Sequence, residues 1–264
     1  MRRRALLTAG LGALAGLRLR PASAQDMMAH VDLSSPRMSQ AEMTREQVED
    51  LLKAGGPVSL TDKSLNGLDL SGLDLTGADL RWARLNKAVL KGTRLAGARL
   101  ELAWALDADL TGADLGGANL FQAQLLRSRL DDADLSRARI AATFDGASLR
   151  RARLRDADGA ADMRNQSMGL MHASFRSARL DDADMTGARL SRADFEFAHL
   201  DGAHLDGADM SRALLGGADL TGASVTGLNL AGADLTGTLL KDLAGRDGLK
   251  GLDSAQNLDR ARSG

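Results

Sequence analysis

The chain has 264 residues, with 34 lysines and arginines against 35 aspartates and glutamates, and it contains no cysteine. The lack of cysteine excludes disulfides, a cysteine nucleophile and a lipid anchor on an N-terminal cysteine. The small net charge argues against a nucleic-acid-binding surface, which would need an excess of lysine and arginine.

The first 24 residues have the pattern of a secretory signal peptide. Three consecutive arginines are followed by an apolar run over 5–17 that is too short to span a membrane. An A-x-A site then predicts cleavage after Ala24, and therefore a periplasmic or secreted protein. Arg3 and Arg4 resemble the twin-arginine export motif, and the weakly apolar core favours that route over the general secretory one.

A short helix is predicted after a polar, methionine-rich tail. Thr44 and Gln47 have the spacing of a capping box, and Val48, Leu51 and Leu52 would form one apolar face. A Gly-Gly-Pro sequence then ends the helix.

A five-residue period dominates most of the chain. Leucine or a similar residue recurs at every fifth position, with alanine two positions before it. This period fits neither an α-helix nor a long strand, so the unit is a short extended piece plus a corner, repeated as a solenoid. In Thr76-Gly77-Ala78-Asp79-Leu80, alanine and leucine would point inward and aspartate to water, while Thr-Gly turns the chain.

These residues resemble the pentapeptide-repeat family, whose signature is A-(D/N)-L-x-x. The resemblance covers roughly residues 60–240 and implies a right-handed quadrilateral β-helix, an all-β solenoid with four pentapeptides per coil. At about 4.8 Å per coil, the rod would be roughly 40 Å long. The repeats that match the signature without change are Ala78-Asp79-Leu80, Ala108-Asp109-Leu110, Ala113-Asp114-Leu115, Ala118-Asn119-Leu120, Ala133-Asp134-Leu135, Ala218-Asp219-Leu220 and Ala233-Asp234-Leu235.

The ends and the middle of the solenoid depart from the period. A solenoid exposes its core at both ends, so the short helix is predicted to plug the first coil and the irregular C-terminal residues to cap the last one. After Ile140, the apolar positions Phe144 and Leu149 run one residue out of phase, and the original phase returns at Phe175. The predicted organisation is a signal peptide at 1–24, a tail and capping helix at 25–59, repeats at 60–240 with an interruption at about 155–172, and a C-terminal cap at 241–264.

Few groups in the chain could carry out chemistry. His199 and His204 occupy outward positions, and the aspartate pairs at 131–132 and 181–182 fall at corners, where aspartate is a common turn residue. No serine lies in a recognised hydrolase turn. We therefore predict a non-enzymatic protein that needs no cofactor.

Two metal-binding alternatives remain open. One is a calcium site in the interruption, because Asp156, Asp158 and Asp162 cluster hard oxygen ligands. The other is a Cu(I) site, because thioether and imidazole groups suit that ion. Its candidate ligands are Met27, Met28, His30, Met38 and Met43 in the tail, with Met163, Met168, Met171 and His172 in the interruption.

The family resemblance suggests one further alternative, a DNA mimic. The best-characterised members are cytoplasmic rods that imitate duplex DNA and bind DNA gyrase. Duplex DNA carries one negative charge per about 1.7 Å, or roughly twenty-four over such a rod. The first 24 residues hold five arginines and no acid, so cleavage leaves 29 basic against 35 acidic residues, a net charge of −6. This low charge and the signal peptide favour an exported scaffold or binding module, with a protein or a second copy as partner.

A group of apolar residues predicts the binding surface. Residues twenty positions apart would stack in columns, which gathers both tryptophans of the chain on one edge of the rod. Alternatively, the N-terminal tail covers this edge, or the small Ala105 lets a tryptophan turn inward. The predicted patch comprises Trp82, Leu102, Trp104, Leu106, Phe121 and Leu126.

Overall fold

The computed structural model describes residues 32, 34–161 and 171–263, so the predicted signal peptide lies outside the described residues. Within them, one residue in five forms a parallel bridge to the residue 20 positions ahead, as Asp79 does with Arg99 and Arg84 with Trp104. Four such bridges in each turn of the chain make the coil four-sided. No helix in these ranges is long and apolar enough to cross a membrane.

We number the coils from Ser59, the first bridged residue. Each following coil begins at the next residue in the column of bridges that starts at Ser59. The last residue of that column, Lys250, starts a partial tenth coil. Coils 1 to 9 begin at Ser59, Asp79, Arg99, Asn119, Arg139, Asp158, Arg189, Asp209 and Asn229.

An ordinary corner of a coil is a β-turn. The Ala78 N–H donates to the Leu75 carbonyl at 3.0 Å, and the second turn residue, Gly77, has a φ of 66°, a conformation that favours glycine. The outward aspartate closes the turn, since Asp74 Oδ1 accepts the Thr76 N–H at 3.1 Å. The aspartate of the repeat signature therefore has a structural role besides facing water.

The interior is filled by the alanine and leucine columns. Beneath one of the four faces leucine gives way to Phe144, Phe175 and Phe195, whose successive ring centroids are 4.9 Å apart. In the same column Ala105 is undersized, and it leaves a small apolar void of about 10 Å³. Trp104 stays outside the coil, bridged to its neighbours, so the alternative in which a tryptophan turns inward is not observed.

The phase shift in the middle of the chain has two parts. First, one corner is a residue short, so that Gln124 pairs with Thr143, 19 positions ahead. The coil then runs regularly to Asp158, which pairs with Arg139; the interruption therefore starts after this residue, and the predicted start at 155 was wrong. Second, Thr143 pairs with Ser174, 31 positions ahead, because residues 160–172 replace an ordinary corner.

The N-terminal end is closed by two helices, α1 (Pro36–Ser39) and α2 (Arg45–Ala54). The predicted capping box of α2 is present, and Val48 is fully buried against the first coil. Leu52 packs on the core, but Leu51 is 42% exposed. Around the helix, Leu51 lies to one side of Val48 and Leu52 to the other, and only the Leu52 side meets the core. The predicted apolar face was therefore too wide.

The C-terminal end is a widened coil. Three 3₁₀ turns, Arg246–Gly248, Leu252–Ser254 and Leu258–Arg260, lengthen its corners. Its bridged residues are consequently six positions apart instead of five, at Ala244, Lys250, Gln256 and Arg262. The predicted C-terminal cap thus keeps a regular period of its own.

Candidate interaction face

One face of the rod differs from the other three, and we call it the tryptophan face. Its two borders are the leading corner, which precedes it in each coil and includes Arg81-Trp82, and the trailing corner, which follows it and includes Asn86-Lys87. Its outward residues are Ser64, Arg84, Trp104, Gln124, Thr143, Ser174, Asp194, Leu214, Asp234 and Gln256.

Four residues of the predicted patch lie at the surface as expected. Trp82 is 46% exposed on the leading corner of coil 2, and Leu102 and Phe121 are half-buried on the same corner of coils 3 and 4. Trp104 is half-buried on the face itself. The Arg139 guanidinium lies 4.0 Å from the Phe121 ring centroid, a cation–π contact that keeps a charge beside this apolar group.

Leu106 and Leu126 do not belong to this surface, which corrects the predicted patch. Both are buried, at 3% and 2% exposure. They occupy the trailing corner, one coil apart, in the column that continues from Asn66 and Asn86. Side chains in this column pack on one another along the rod, and so the two leucines are withdrawn from solvent.

Backbone conformation singles out three apolar residues. Trp82, Leu102 and Phe197 have φ angles of 57°, 62° and 60°, at the turn position that most often holds glycine. The other non-glycine residues with positive φ in the described ranges are polar or charged. A bulky apolar side chain in this region is strained by about 1–2 kcal/mol, and such strain is typical of functional sites.

Phe197 was missed by the sequence interpretation. It is 58% exposed on the trailing corner of coil 7, and its ring lies over Gly217, where an added Cβ would be 2.7 Å from the ring. The sequence did contain a signal for Phe197, because it occupies the turn position that is usually glycine. Trp82, Leu102 and Phe197 all border the tryptophan face.

Unpaired polar atoms collect around Trp104. In the part of the chain that the structure describes, the buried side-chain atoms without a hydrogen-bond partner are Arg84 Nε, Glu101 Oε2 and Gln124 Oε1. Arg84 and Gln124 are the bridge partners of Trp104, and Glu101 lies on the leading corner next to it. A buried polar atom without a partner is destabilising, so the packing around Trp104 is not the most stable one available.

The N-terminal segment packs beside this face. Asn86 Nδ2 donates to the Met38 carbonyl at 3.1 Å, and Asn66 Nδ2 donates to the Arg37 carbonyl at 3.3 Å. The described part of the predicted tail therefore packs against the first two coils. A groove of about 550 Å³ separates it from coil 1, and the charges lining the groove pair with each other, as Arg84 does with Asp62 at 2.6 Å.

The interruption opens on the leading corner, the border that carries Trp82 and Phe121. Gly159 and Ala173 flank it, and Met171 and His172 are half-buried at its base. Sequence periodicity located an irregular segment but did not place it on this edge, because a corner could be assigned only once the one-residue deletion was counted.

The predicted metal ligands are dispersed in the described residues. Asp158 lies on a face of the rod and pairs with Arg189 at 2.5 Å. Asp156 is exposed on the corner before that face. Met43 packs against the core. No group of three His, Asp or Glu side chains is arranged to hold a metal within the described ranges. Met27, Met28, His30, Asp162, Met163 and Met168 lie outside them.

The remaining polar candidates have surface roles. His199 and His204 are exposed on adjacent faces. The aspartate pairs at 131–132 and 181–182 lie on one corner, separated by Arg150 and Arg151, as shown by the Arg151–Asp132 ion pair at 2.8 Å and the Arg150–Asp181 pair at 3.3 Å. The aspartate pairs alternate with a pair of arginines along this corner and form ion pairs with them. This structural role accounts for the paired aspartates, and no catalytic role is needed.

A family model for pentapeptide repeats matches this chain in eight copies, over residues 64–101, 107–140, 170–207 and 203–242. The chain belongs to the pentapeptide-repeat family. Membership implies that the four-sided coils form a right-handed quadrilateral β-helix. Among curated proteins, none matches the chain significantly in sequence.

Solved structures of other pentapeptide-repeat proteins resemble the chain. HetL, from the cyanobacterium Nostoc sp. and involved in heterocyst differentiation regulation, is 31% identical over 84% of this chain and 95% of its own, with a TM-score of 0.47. QnrB1, a plasmid-mediated fluoroquinolone resistance protein, is 17% identical over 77% of this chain and 92% of its own, with a TM-score of 0.48. A protein from the Arabidopsis thaliana thylakoid lumen is 25% identical over 59% of this chain and 75% of its own, with a TM-score of 0.24.

Proposed function

We propose that this pentapeptide-repeat protein is an exported, non-enzymatic interaction module that binds a protein partner through the tryptophan face. The distribution of aromatic residues carries the proposal. The chain has two tryptophans, five phenylalanines and no tyrosine. Phe144, Phe175 and Phe195 are core residues beneath this face. The other four, Trp82, Trp104, Phe121 and Phe197, are surface residues on the face or its two corners.

Three further features support this surface. Strained, exposed aromatic side chains are retained where glycine would be more stable. Buried polar atoms without hydrogen-bond partners lie next to Trp104, at a cost in stability. Tryptophan and arginine are also the residues most enriched at binding hot spots, where truncation of one side chain removes about 2 kcal/mol or more of binding free energy.

The charge pattern of the rod does not favour the DNA-mimic alternative. The column that begins the coils carries charges of both signs, at Asp79, Arg99, Arg139, Asp158 and Arg189. A surface that imitates a phosphate backbone needs uniform negative charge along its length. Supercoiling assays with the protein are therefore expected to show no inhibition of gyrase.

Partner binding is tested by capture from a periplasmic extract with wild-type protein and two double variants. Trp82→Ala with Trp104→Ala should lose the captured partner while retaining the circular dichroism spectrum of the β-helix. Arg137→Ala with His204→Ala changes exposed residues elsewhere on the rod and should capture normally. An identical capture profile for all three proteins would remove the tryptophan face from consideration.

Export is tested separately. The arginine pair at the start of the chain supports the twin-arginine route, which requires both guanidinium groups. Arg3→Lys with Arg4→Lys should leave uncleaved precursor in the cytoplasm, with no change in the folded domain. Normal export of this variant would assign the protein to the general secretory route, and the absence of cleavage in the wild type would contradict export.

A further inference from the structure

We propose that the groove between the N-terminal segment and coil 1 is a binding site for a small hydroxylated monocarboxylate, of the kind represented by sugar acids. The groove holds about 550 Å³, a volume within the range of about 300–1,000 Å³ that is typical of small-molecule sites. One wall comes from residues between Pro36 and Glu42, and the other from residues 61–64 with Arg84 of coil 2. The site is separate from the predicted patch, and the inference does not depend on the proposed function.

The charges that line the groove do not balance. Among the described residues, three cations, Arg37, Lys63 and Arg84, meet two carboxylates, Glu42 and Asp62. They form a series in which the signs alternate. The Arg37–Asp62, Asp62–Arg84, Arg84–Glu42 and Glu42–Lys63 pairs are 3.2, 2.6, 3.9 and 3.3 Å apart. Both ends of the series are cations, so the groove has a net charge of +1 and attracts a ligand with one negative charge.

Arg84 fixes a positive charge at the base of the groove. Its side chain is only 7% exposed. Nη1 donates to Asp62 Oδ1 at 2.6 Å, and Nη2 donates to the Asp62 carbonyl at 2.7 Å. The Arg84 Nε atom is covered by protein and has no hydrogen-bond partner, so it does not contact a ligand itself. A guanidinium that is withdrawn from water and incompletely paired is stabilised by a further negative charge in the groove.

Arg37 and Lys63 are the cations that a ligand can contact directly. Their side chains are 70% and 49% exposed, and they lie on opposite walls of the groove. The hydrogen bond from Arg37 to Asp62, at 3.2 Å, uses one of the five N–H groups of the guanidinium. A carboxylate can accept two parallel hydrogen bonds from an arginine. These two side chains would therefore bind the carboxylate of the ligand from both sides.

The rest of the groove favours hydroxyl groups. The two guanidinium bonds to the Asp62 carboxylate both use Oδ1, which leaves Oδ2 as an acceptor. The hydrogen bond from Arg84 lowers the pKa of Asp62, burial opposes this, and the bond from Arg37 adds to it. Asp62 is consequently ionised and can only accept. A hydroxyl is the donor that satisfies it without adding charge, and Pro36 and Ala41 supply little apolar surface.

Other small ligands match these charges less well. A phosphate monoester carries about two negative charges near neutral pH, which exceeds the net charge of the groove and brings it against Glu42 and Asp62. A free amino acid has no net charge, and its ammonium group would compete with cations that already pair with these carboxylates. A neutral sugar has nothing to offer to Arg37 and Lys63 beyond weak hydrogen bonds. A hydroxylated monocarboxylate satisfies both kinds of group at once.

Titration calorimetry with sodium glucuronate tests the site. The wild-type protein at low ionic strength should bind the probe saturably, with a dissociation constant of about 1 mM or below, which one charge-assisted contact and a few hydrogen bonds can supply. Glucose has the same ring without the carboxylate and should show no binding. Glucose 6-phosphate should bind more weakly than glucuronate. Added salt should weaken the binding of glucuronate, because the two contacting cations are exposed.

Variants of the two exposed cations locate the site. Arg37→Gln and Lys63→Gln should each weaken the binding of glucuronate at least about tenfold, because each removes a charged contact. Arg37→Lys keeps the charge and should bind within about threefold of the wild type, the difference being the lost two-point contact. Arg137→Gln removes an exposed arginine on a corner of coil 4, away from the groove, and is the matched control. Circular dichroism should show the same fold for all of them.

Three outcomes would overturn the inference: no saturable binding well above the expected dissociation constant, equal binding of glucose and glucuronate, or unchanged binding in both glutamine variants. Tighter binding of glucose 6-phosphate would overturn the assignment to a monocarboxylate. None of these outcomes bears on the tryptophan face, because its capture test changes other residues and measures a protein partner.

Discussion

Near the N-terminal end of the rod, the tryptophan face and the face opposite to it use different groups to close their turns. On the opposite face, the outward aspartates Asp74, Asp114 and Asp134 each accept the N–H two residues ahead, at 3.1, 2.9 and 2.9 Å. On the tryptophan face, the turn amides of coils 2 and 3 are bound instead by a corner side chain of the coil before, whereas Asp194 and Asp234 farther along this face accept the N–H two residues ahead. Asn66 Oδ1 accepts the Asn86 N–H at 2.9 Å, and Asn86 Oδ1 accepts the Leu106 N–H at 3.1 Å.

This difference explains how an outward position becomes free for binding. Where aspartate must close its own turn, the outward residue is constrained to aspartate or asparagine. Because Asn86 performs that task for coil 3, position 104 can hold a tryptophan without leaving the amide unsatisfied. The repeat signature is therefore weakest where the surface is most distinctive.

The largest expected effect is in the core beneath the tryptophan face. Phe175 is fully buried and stacked between two other phenylalanines. Phe175→Ala should reduce the free energy of unfolding by about 3–5 kcal/mol, because it opens a cavity and removes both ring contacts. Phe175→Leu is the control and should lose less than about 1.5 kcal/mol, since leucine fills this column in other coils. Urea denaturation measures both; a loss for Phe175→Leu as large as that for Phe175→Ala would mean that the ring contacts, and not the filled volume, stabilise this column.

The next effect compares the two ways of closing a turn. Asn86 is buried and bonds both the N-terminal segment and the next coil, so Asn86→Ala should lose about 1–3 kcal/mol by leaving these groups unsatisfied. Asp114→Ala removes one hydrogen bond to Gly116 at the surface and should lose about 0.5–1 kcal/mol. Equal losses in denaturant titrations would show that the two arrangements are interchangeable.

Much of this comparison could be predicted from the sequence, but not all of it. The period of alanine and leucine predicted the solenoid, and Thr44 with Gln47 predicted α2, because both signals are local. The burial of Leu106 and the exposure of Phe197 depend on which corner each residue occupies. That assignment needs the count of residues per coil across the deletion at Thr143 and the insertion after Asp158, which the period alone does not supply.

Acid pH should affect the two faces in opposite directions. The hydrogen bond from Arg94 and those from Thr76 lower the pKa of Asp74 on the opposite face. Its ionised form therefore stabilises the fold above the ordinary Asp pKa of about 3.9, and this contribution is lost as the pH falls. Burial raises the pKa of Asp145 beside the tryptophan face, although hydrogen bonds from Ser174 and Arg176 oppose it. Its protonated form is favoured in the fold, and that contribution is lost as the pH rises through the raised pKa.

Thermal unfolding between pH 2 and pH 7 separates the two groups. Asp74→Asn should lower the melting temperature at pH 7, and its difference from the wild type should shrink as the pH falls toward 2. Asp145→Asn should keep or raise the melting temperature at pH 7, because a neutral amide accepts the same two hydrogen bonds without a buried charge. A lower melting temperature for Asp145→Asn at pH 7 would indicate that the ionised carboxylate is required.

The smallest effect tests whether strain is retained for binding. Trp82 and Arg137 share the positive-φ turn position, with φ angles of 57° in both, but only Trp82 borders the tryptophan face. Replacing either with glycine relieves backbone strain, so Trp82→Gly and Arg137→Gly should each change stability by at most about 1 kcal/mol, in the stabilising direction. Their binding should nevertheless differ, because Trp82→Gly removes an exposed aromatic group and Arg137→Gly does not. Calorimetry measures stability, and capture of the partner from a periplasmic extract measures binding, on the same samples. If Trp82→Gly were destabilised by more than about 1 kcal/mol, the indole would be a structural group, and its strained backbone would need no partner to explain it.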